Sequence, residues 1–284
     1  MNWEHLSANI DEIIKNNVVT KDIARELISF IDLTTLEGTD NNNVVKQLID
    51  QAKDSYNKTN GKGVAAVCVY PNFAGFASNE LKNTNIRLAC VAGAFPSGQS
   101  PLHIRIAEVE HAVAHGAQEI DMVISRGAAL SGNLDYVKHE IVLHKNACGN
   151  AHLKVILETG ELKDPELIYN ISMIAMENGA DFIKTSTGKI APAATMPVTL
   201  VMLEAIRDFY YKTGKMIGMK PAGGISRSKL ALHYLVMVKE VLGEDWMSNE
   251  WFRFGASSLA NDVLMQIVKE KTGLYQSANY FSVD

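Results

Sequence analysis

Cysteine is scarce in this chain: three residues, Cys68, Cys90 and Cys148, among 284. The number is odd, the spacings are wide and no CxxC pair occurs. They read as free thiols of a reducing compartment, not as a disulfide framework or a metal knuckle. No apolar run approaches the roughly 20 residues needed to cross a bilayer. Residues 1–10 carry Glu4 and have no basic start before an apolar stretch, which argues against a signal peptide. A strong excess of either charge is also missing. Twenty-seven basic and 32 acidic side chains leave a net charge of -5 and a pI near 5.9. Such a balance gives no general affinity for nucleic acid or for an anionic membrane, so an anionic ligand needs a local site. There is no Pro/Gly/Ser-rich linker and no low-complexity tract. The expectation is a cytoplasmic protein of one domain spanning 1–284, with a helical extension over 1–28 and a polar, aromatic tail over 272–284.

What is present is alternation. Short β-branched runs, apolar on both parities, lie at Phe30–Leu33, Val64–Tyr70, Ile86–Gly93, Glu119–Ser125, Leu153–Thr159, Asp181–Ser186, Met216–Lys220 and Trp251–Ala256. Helix-period segments separate them, such as Asn43–Ser55, Pro101–His115, Asp135–Asn146, Pro165–Asn178, Pro197–Lys212 and Ser228–Leu242. Runs apolar on both parities suit parallel strands covered on both faces. Eight such strands, each followed by a helix, predict an α/β fold of the (β/α)8 TIM-barrel type. The glycine fingerprint of a dinucleotide-binding open sheet does not follow the first strand. The segment before about Ser29 is expected to pack across the bottom of the barrel.

In such a barrel the chemistry sits at the carboxyl ends of the strands. Those ends offer Asp32, Cys68, Asp121, Glu158, Lys184 and Lys220. Either lysine alone could snorkel to solvent or pair with a carboxylate. Two of them on neighbouring strands, each followed by a small glycine-containing turn, point to an amine wanted for chemistry. Ammonium groups roughly 6 Å apart at an effective dielectric of about 20 repel by nearly 3 kcal/mol. That repulsion, with desolvation added, lowers one lysine's pKa and makes it a carbonyl-attacking nucleophile. Which lysine attacks is left open by the residues themselves. Asp121 is either a proton shuttle or a structural partner of a lysine. Glycine-rich turns follow strands six to eight: Thr187-Gly188-Lys189, Gly223-Gly224 and Gly255-Ala256-Ser257-Ser258. Their backbone N–H groups and hydroxyls suit a phosphate, which this fold often binds after strands seven and eight. Thr187-Gly188-Lys189 is not a Walker A loop, and His111 and His115 lack the glutamate of HExxH. No metal site is legible.

The segments Asp181–Lys189 (Asp-Phe-Ile-Lys-Thr-Ser-Thr-Gly-Lys) and Lys220–Ile225 (Lys-Pro-Ala-Gly-Gly-Ile) carry a resemblance to a known family. With Ile31–Leu36, Val64–Pro71, Glu119–Asp121, Leu157–Leu162 and Arg253–Leu259, the chain resembles the deoxyribose-phosphate aldolases, class I (Schiff-base) aldolases, over its whole barrel. The resemblance implies reversible cleavage of 2-deoxy-D-ribose 5-phosphate to acetaldehyde and D-glyceraldehyde 3-phosphate, in deoxyribose phosphate catabolism, with no cofactor and no metal. It implies Lys184 as the Schiff-base lysine, Lys220 as the lysine that lowers its pKa, and Asp121 as the proton relay. Asp32, Cys68, Thr187, Gly188, Lys189, Gly223, Gly224, Gly255, Ser257 and Ser258 are implied to bind the phosphosugar. Nucleic acid and membrane are not expected partners; a homo-oligomer is compatible with the sequence. Two departures stand out. Ser226 precedes Arg227 where the family has arginine directly after Gly-Gly-Ile, and Tyr275 and Tyr280 are followed by further residues. Two rival readings remain at this stage, a phosphosugar isomerase or decarboxylase on the same fold and a catalytically silent phosphate binder.

Overall fold

In the computed structural model, which describes residues 3–16, 26–59 and 61–274, the expected alternation becomes a ring of eight parallel strands. They are β1 (Ile31–Thr34), β2 (Ala66–Val69), β3 (Arg87–Ala92), β4 (Glu119–Val123), β5 (His152–Ile156), β6 (Phe182–Lys184), β7 (Gly218–Lys220) and β8 (Phe254–Ala256). The order β7-β6-β5-β4-β3-β2-β1-β8 follows the chain. Parallel bridges Met219↔Phe252 and Ala222↔Gly255 bring β7 back to β8 and close the barrel. The strands are shorter than their apolar runs, most of all β6 and β7. Only the central residues pair, and the flanking apolar residues fill the turns into and out of the barrel.

Helices cover the outside: α1 (Trp3–Asn16), α2 (Asn42–Lys58), α3 (Ala74–Glu80), α4 (Leu102–Ala114), α5 (Arg126–Leu130), α6 (Leu134–Cys148), α7 (Thr159–Leu162), α8 (Pro165–Glu177), α9 (Met196–Thr213), α10 (Ser228–Leu242) and α11 (Leu259–Thr272). Local chemistry sets several of their ends. The Asn41 side chain caps α2 by accepting from the N–H groups of Asn43 and Val44. Asp164 followed by Pro165 starts α8, and Thr195 with Pro197 starts α9.

The strip of α1 that carries Leu6 and Ile10 is buried, and α1 packs on α9 and α10. Its apolar stripe matches the apolar flanks of those two helices. Helix α11 runs to Thr272, into the stretch expected as tail. Tyr275, Tyr280 and the rest of 275–284 lie outside the described residues.

Two apolar layers result. A large one fills the space between sheet and helices. A small one, with Leu36, Cys68, Ala89, Val91, Phe95, Val123 and Ile156, occupies one side of the barrel interior. The other side of the interior is ionic.

Candidate active site

Alternation along the strands sends every second side chain inward. On β1, β4, β5, β6, β7 and the approach to β8 those side chains are Asp32, Glu119, Asp121, Lys154, Lys184, Lys220 and Arg253, and all are buried. Lys184 and Lys220 are register partners on β6 and β7. Both lysine nitrogens lie 2.7 Å from the same Asp121 oxygen, Oδ2. Lys220 also meets Asp32 at 2.5 Å. Lys154 is held by Glu119 at 2.5 Å, by Asp121 at 2.9 Å and by Asp32 at 3.8 Å. Arg253 closes the group below, 2.7 Å from Asp32 and 3.0 Å from Glu119. Arg87 touches Glu119 from the rim at 3.2 Å but is balanced by Glu250 at 2.7 Å.

The cluster has a charge count. Three carboxylates face three lysines and one arginine, so full ionisation leaves one positive charge in excess in a dry interior. Expelling a proton from one lysine balances the set, and burial of an uncompensated charge is the costlier alternative. Geometry singles out the lysine with the weakest hold: Lys184 has one carboxylate partner, Lys220 two and Lys154 three. Burial pulls the Lys184 pKa below its ordinary value, Asp121 opposes this, and the Lys220 ammonium adds to the lowering. Burial acts on Lys220 in the same sense, but Asp121 and Asp32 overcome it and push its pKa up. Lys154 is likewise raised against burial, chiefly by Asp121 and Glu119. Burial favours a protonated Asp121, yet Lys154, Lys184 and Lys220 hold its carboxyl well below the usual range. The lowering expected mainly from like-charge repulsion thus owes more to desolvation, with Lys220 a lesser contributor.

Other expected residues fall into two places. Asp32 and Cys68 lie at depth, fully buried. Asp32 contacts Lys220 and Arg253, which places it in the charge cluster beside the two strand-end lysines and below the glycine turns. Cys68 belongs to the apolar half of the interior, where burial first and the Asp121 charge second push its thiol up to about 11.

The glycine turns, by contrast, converge at the mouth. Gly223, at φ +81°, leaves so little room that a Cβ there would sit 2.7 Å from that of Ala193 and 3.0 Å from the Gly188 Cα. Only glycine permits this approach of the turns after β6 and β7. The Gly223 N–H donates to the Gly255 carbonyl, tying in the turn after β8. Gly188, Gly224, Ser257 and Ser258 are all exposed, and Ser258 precedes the first residue of α11. Lys189 Nζ reaches across the mouth to Glu37 at 2.7 Å. Arg227 is mostly exposed and lies 3.4 Å from Asp262.

A family model described as DeoC/LacD family aldolase matches residues 26–262. The chain belongs to the DeoC/LacD aldolase family. A human protein named deoxyribose-phosphate aldolase is 49% identical over 259 residues, covering 87% of this chain and 81% of its own. A mouse protein of the same name is 47% identical with the same coverage. Among solved structures, a tetrameric deoxyribose phosphate aldolase from Aeropyrum pernix superposes with a TM-score of 0.64 at 24% identity, over 90% of this chain and 100% of that one, a likeness of fold. The barrel and the aldolase class expected from the sequence therefore hold.

Lys154, Glu119 and Arg253 were not among the expected site residues. A signal for two of them existed: Glu119 shares the inward parity of Asp121, and Lys154 interrupts an apolar run as its register partner. Among the described residues, no group of three or more His, Cys, Asp or Glu is arranged to hold a metal ion, and no helix is long and apolar enough to cross a membrane.

Proposed function

We propose that this member of the aldolase family cleaves 2-deoxy-D-ribose 5-phosphate reversibly to acetaldehyde and D-glyceraldehyde 3-phosphate through an imine at Lys184. The observation that carries the reading is the pairing pattern of the buried cluster, in which Lys184 alone has a single carboxylate partner. Its free amine adds to the C1 aldehyde of the open-chain sugar, and loss of water gives a protonated imine. Removal of the C3 hydroxyl proton then lets the C2–C3 bond break. Glyceraldehyde 3-phosphate leaves, and the bonding electrons enter an enamine attached to Lys184. Protonation at C2 and addition of water release acetaldehyde and restore the amine. Asp121 touches the nitrogens of Lys184, Lys220 and Lys154. Its carboxyl, held well below the usual carboxylate range by the three lysines, keeps no proton and passes each one on, with the Lys220 ammonium as the donor behind it. The turns at Gly188-Lys189, Gly223-Gly224 and Gly255–Ser258 receive the phosphate at the mouth. Three buried free thiols support a reducing, cytoplasmic setting.

The test is reductive trapping. Borohydride with acetaldehyde is expected to place an ethyl group on Lys184 and abolish activity, as read by peptide mapping. Labelling confined to Lys220 would reverse the two lysine roles. Absence of label on both would remove the imine altogether.

A further inference from the structure

Glu158 has no part in the imine chemistry, yet the fold pays heavily to place it. Its backbone is left-handed, φ 57° and ψ 59°, a region that side-chain-bearing residues avoid and that tends to mark functional sites. Its carboxylate is completely buried at the mouth end of β5. The Thr187 hydroxyl donates to Oε2 at 2.6 Å, and the Thr187 N–H donates to Oε1 at 3.2 Å. Arg126 donates to Oε2 at 3.3 Å, while the same guanidinium reaches Glu161 at 3.1 Å and the Ser97 carbonyl at 2.9 Å. With its proton committed to Glu158, the Thr187 oxygen accepts from the Lys189 N–H at 3.1 Å. The chain Arg126–Glu158–Thr187–Lys189 therefore joins the loops after β3, β4, β5 and β6. Close packing reinforces it: the Thr159 N–H donates to the Thr185 carbonyl, and Gly160 lies so near the Pro192 carbonyl that no Cβ fits between them.

We propose that Glu158 is a positioning residue that fixes the Thr187–Lys189 turn in its phosphate-receiving shape. Arg126 on one side and the Thr187 donors on the other hold the carboxylate in place. The inference rests on the phosphosugar reading above and assigns the selectivity of that site for phosphorylated over plain sugar to a side chain that touches neither. Loss of Glu158 leaves a buried N–H and a buried hydroxyl without their acceptor, and the turn relaxes.

The experiment measures kcat and KM for 2-deoxyribose 5-phosphate and for 2-deoxyribose, with inhibition by inorganic phosphate, in wild type, Glu158→Gln and Arg126→Gln. Glu158→Gln is expected to raise KM for the phosphorylated sugar about tenfold to a hundredfold, the worth of one hydrogen bond to a charged group. Phosphate inhibition should weaken by a similar factor, while kcat and the turnover of plain 2-deoxyribose stay within about threefold. Arg126→Gln, at the edge of the chain of contacts, should shift the same quantities in the same direction by less. If Glu158→Gln does not fold, the Arg126 variant carries the test. Equal losses on both sugars, or an unchanged KM for the phosphorylated one, overturn the positioning role. Absence in the wild type of both phosphate inhibition and preference for the phosphorylated sugar would instead bring down the phosphosugar reading, and this inference with it.

Discussion

Lys184 and Lys154 are both buried lysines in contact with Asp121, but their removal should have opposite consequences. Lys184→Met leaves three carboxylates and three cations, a balanced interior. The variant should lose all activity yet melt no lower than wild type, because it removes the one amine whose burial is least compensated. Lys154→Met strips Glu119, Asp121 and Asp32 of a shared cation, and breaking a buried pair in this way costs about 3–5 kcal/mol. Thermal melts of the two variants compare them directly; a Lys184→Met protein that melts far below wild type would refute the charge count. Lys220→Leu should move the rate profile to higher pH, since Asp121 and Asp32 then favour the Lys184 ammonium. Imine formation would be slow at neutral pH and partly recover in alkali, and an unmoved profile would deny Lys220 its tuning role. The two strand-end lysines were legible in the sequence because glycine turns follow them. Glu119 and Lys154 carried only the weaker signal of parity and of a charge inside an apolar run, and Arg253 carried none, because a lone charge there gains its partners only when the barrel closes.

The turns after β6, β7 and β8 form a single surface because glycines let their backbones touch. Gly223→Ala would drive a methyl against Ala193 at a positive φ and should push the β7 turn outward, weakening phosphorylated substrate. Ser258→Asp is the cleaner probe. The Ser258 side chain makes no capping hydrogen bond and a negative charge at a helix N-terminus is favourable, so α11 should be kept, while a carboxylate against the phosphate should cut kcat/KM for the phosphorylated sugar by more than about tenfold, beyond the loss of one such hydrogen bond. Turnover of plain 2-deoxyribose should be spared, and equal loss on both sugars would mean that Ser258 serves the fold. Glycine spacing made these turns readable from sequence, and helix periods made most of the outer ring readable. The left-handed Glu158, the Gly160–Pro192 approach and the partners of α1 were not readable, since each depends on residues distant in the chain. An apolar stripe says that a helix will be covered, not by what.

At the scale of the whole barrel, the ionic half of the interior ties stability to pH. Burial raises the pKa values of Asp32 and Glu119 less than their cations, Lys220, Lys154 and Arg253, lower them, and the Asp121 carboxyl is held well below the usual range. A carboxylate with a folded pKa below its unfolded value of about 4 contributes in full above that value and loses its contribution as pH falls through the folded one. Lys184 works in reverse: its lowered pKa costs stability below that pKa, and the cost fades as pH rises toward 10.5. Glu158, raised by burial, slightly offsets the acid loss. Urea midpoints should therefore fall steeply below about pH 4 and hold or rise above neutrality; a midpoint unchanged down to pH 3 would contradict this account. The eight-stranded closure was legible from strand and helix alternation, whereas this ionic seam was not. The seam also constrains how such a chain can change over time. Glu119 and Arg253 meet at 3.0 Å, so removing both leaves the excess of one positive charge as it was, whereas removing Glu119 alone enlarges it. Position 119 is expected to lose its charge only together with or after position 253, and an apolar replacement of both should be tolerated where replacement of Glu119 alone is not.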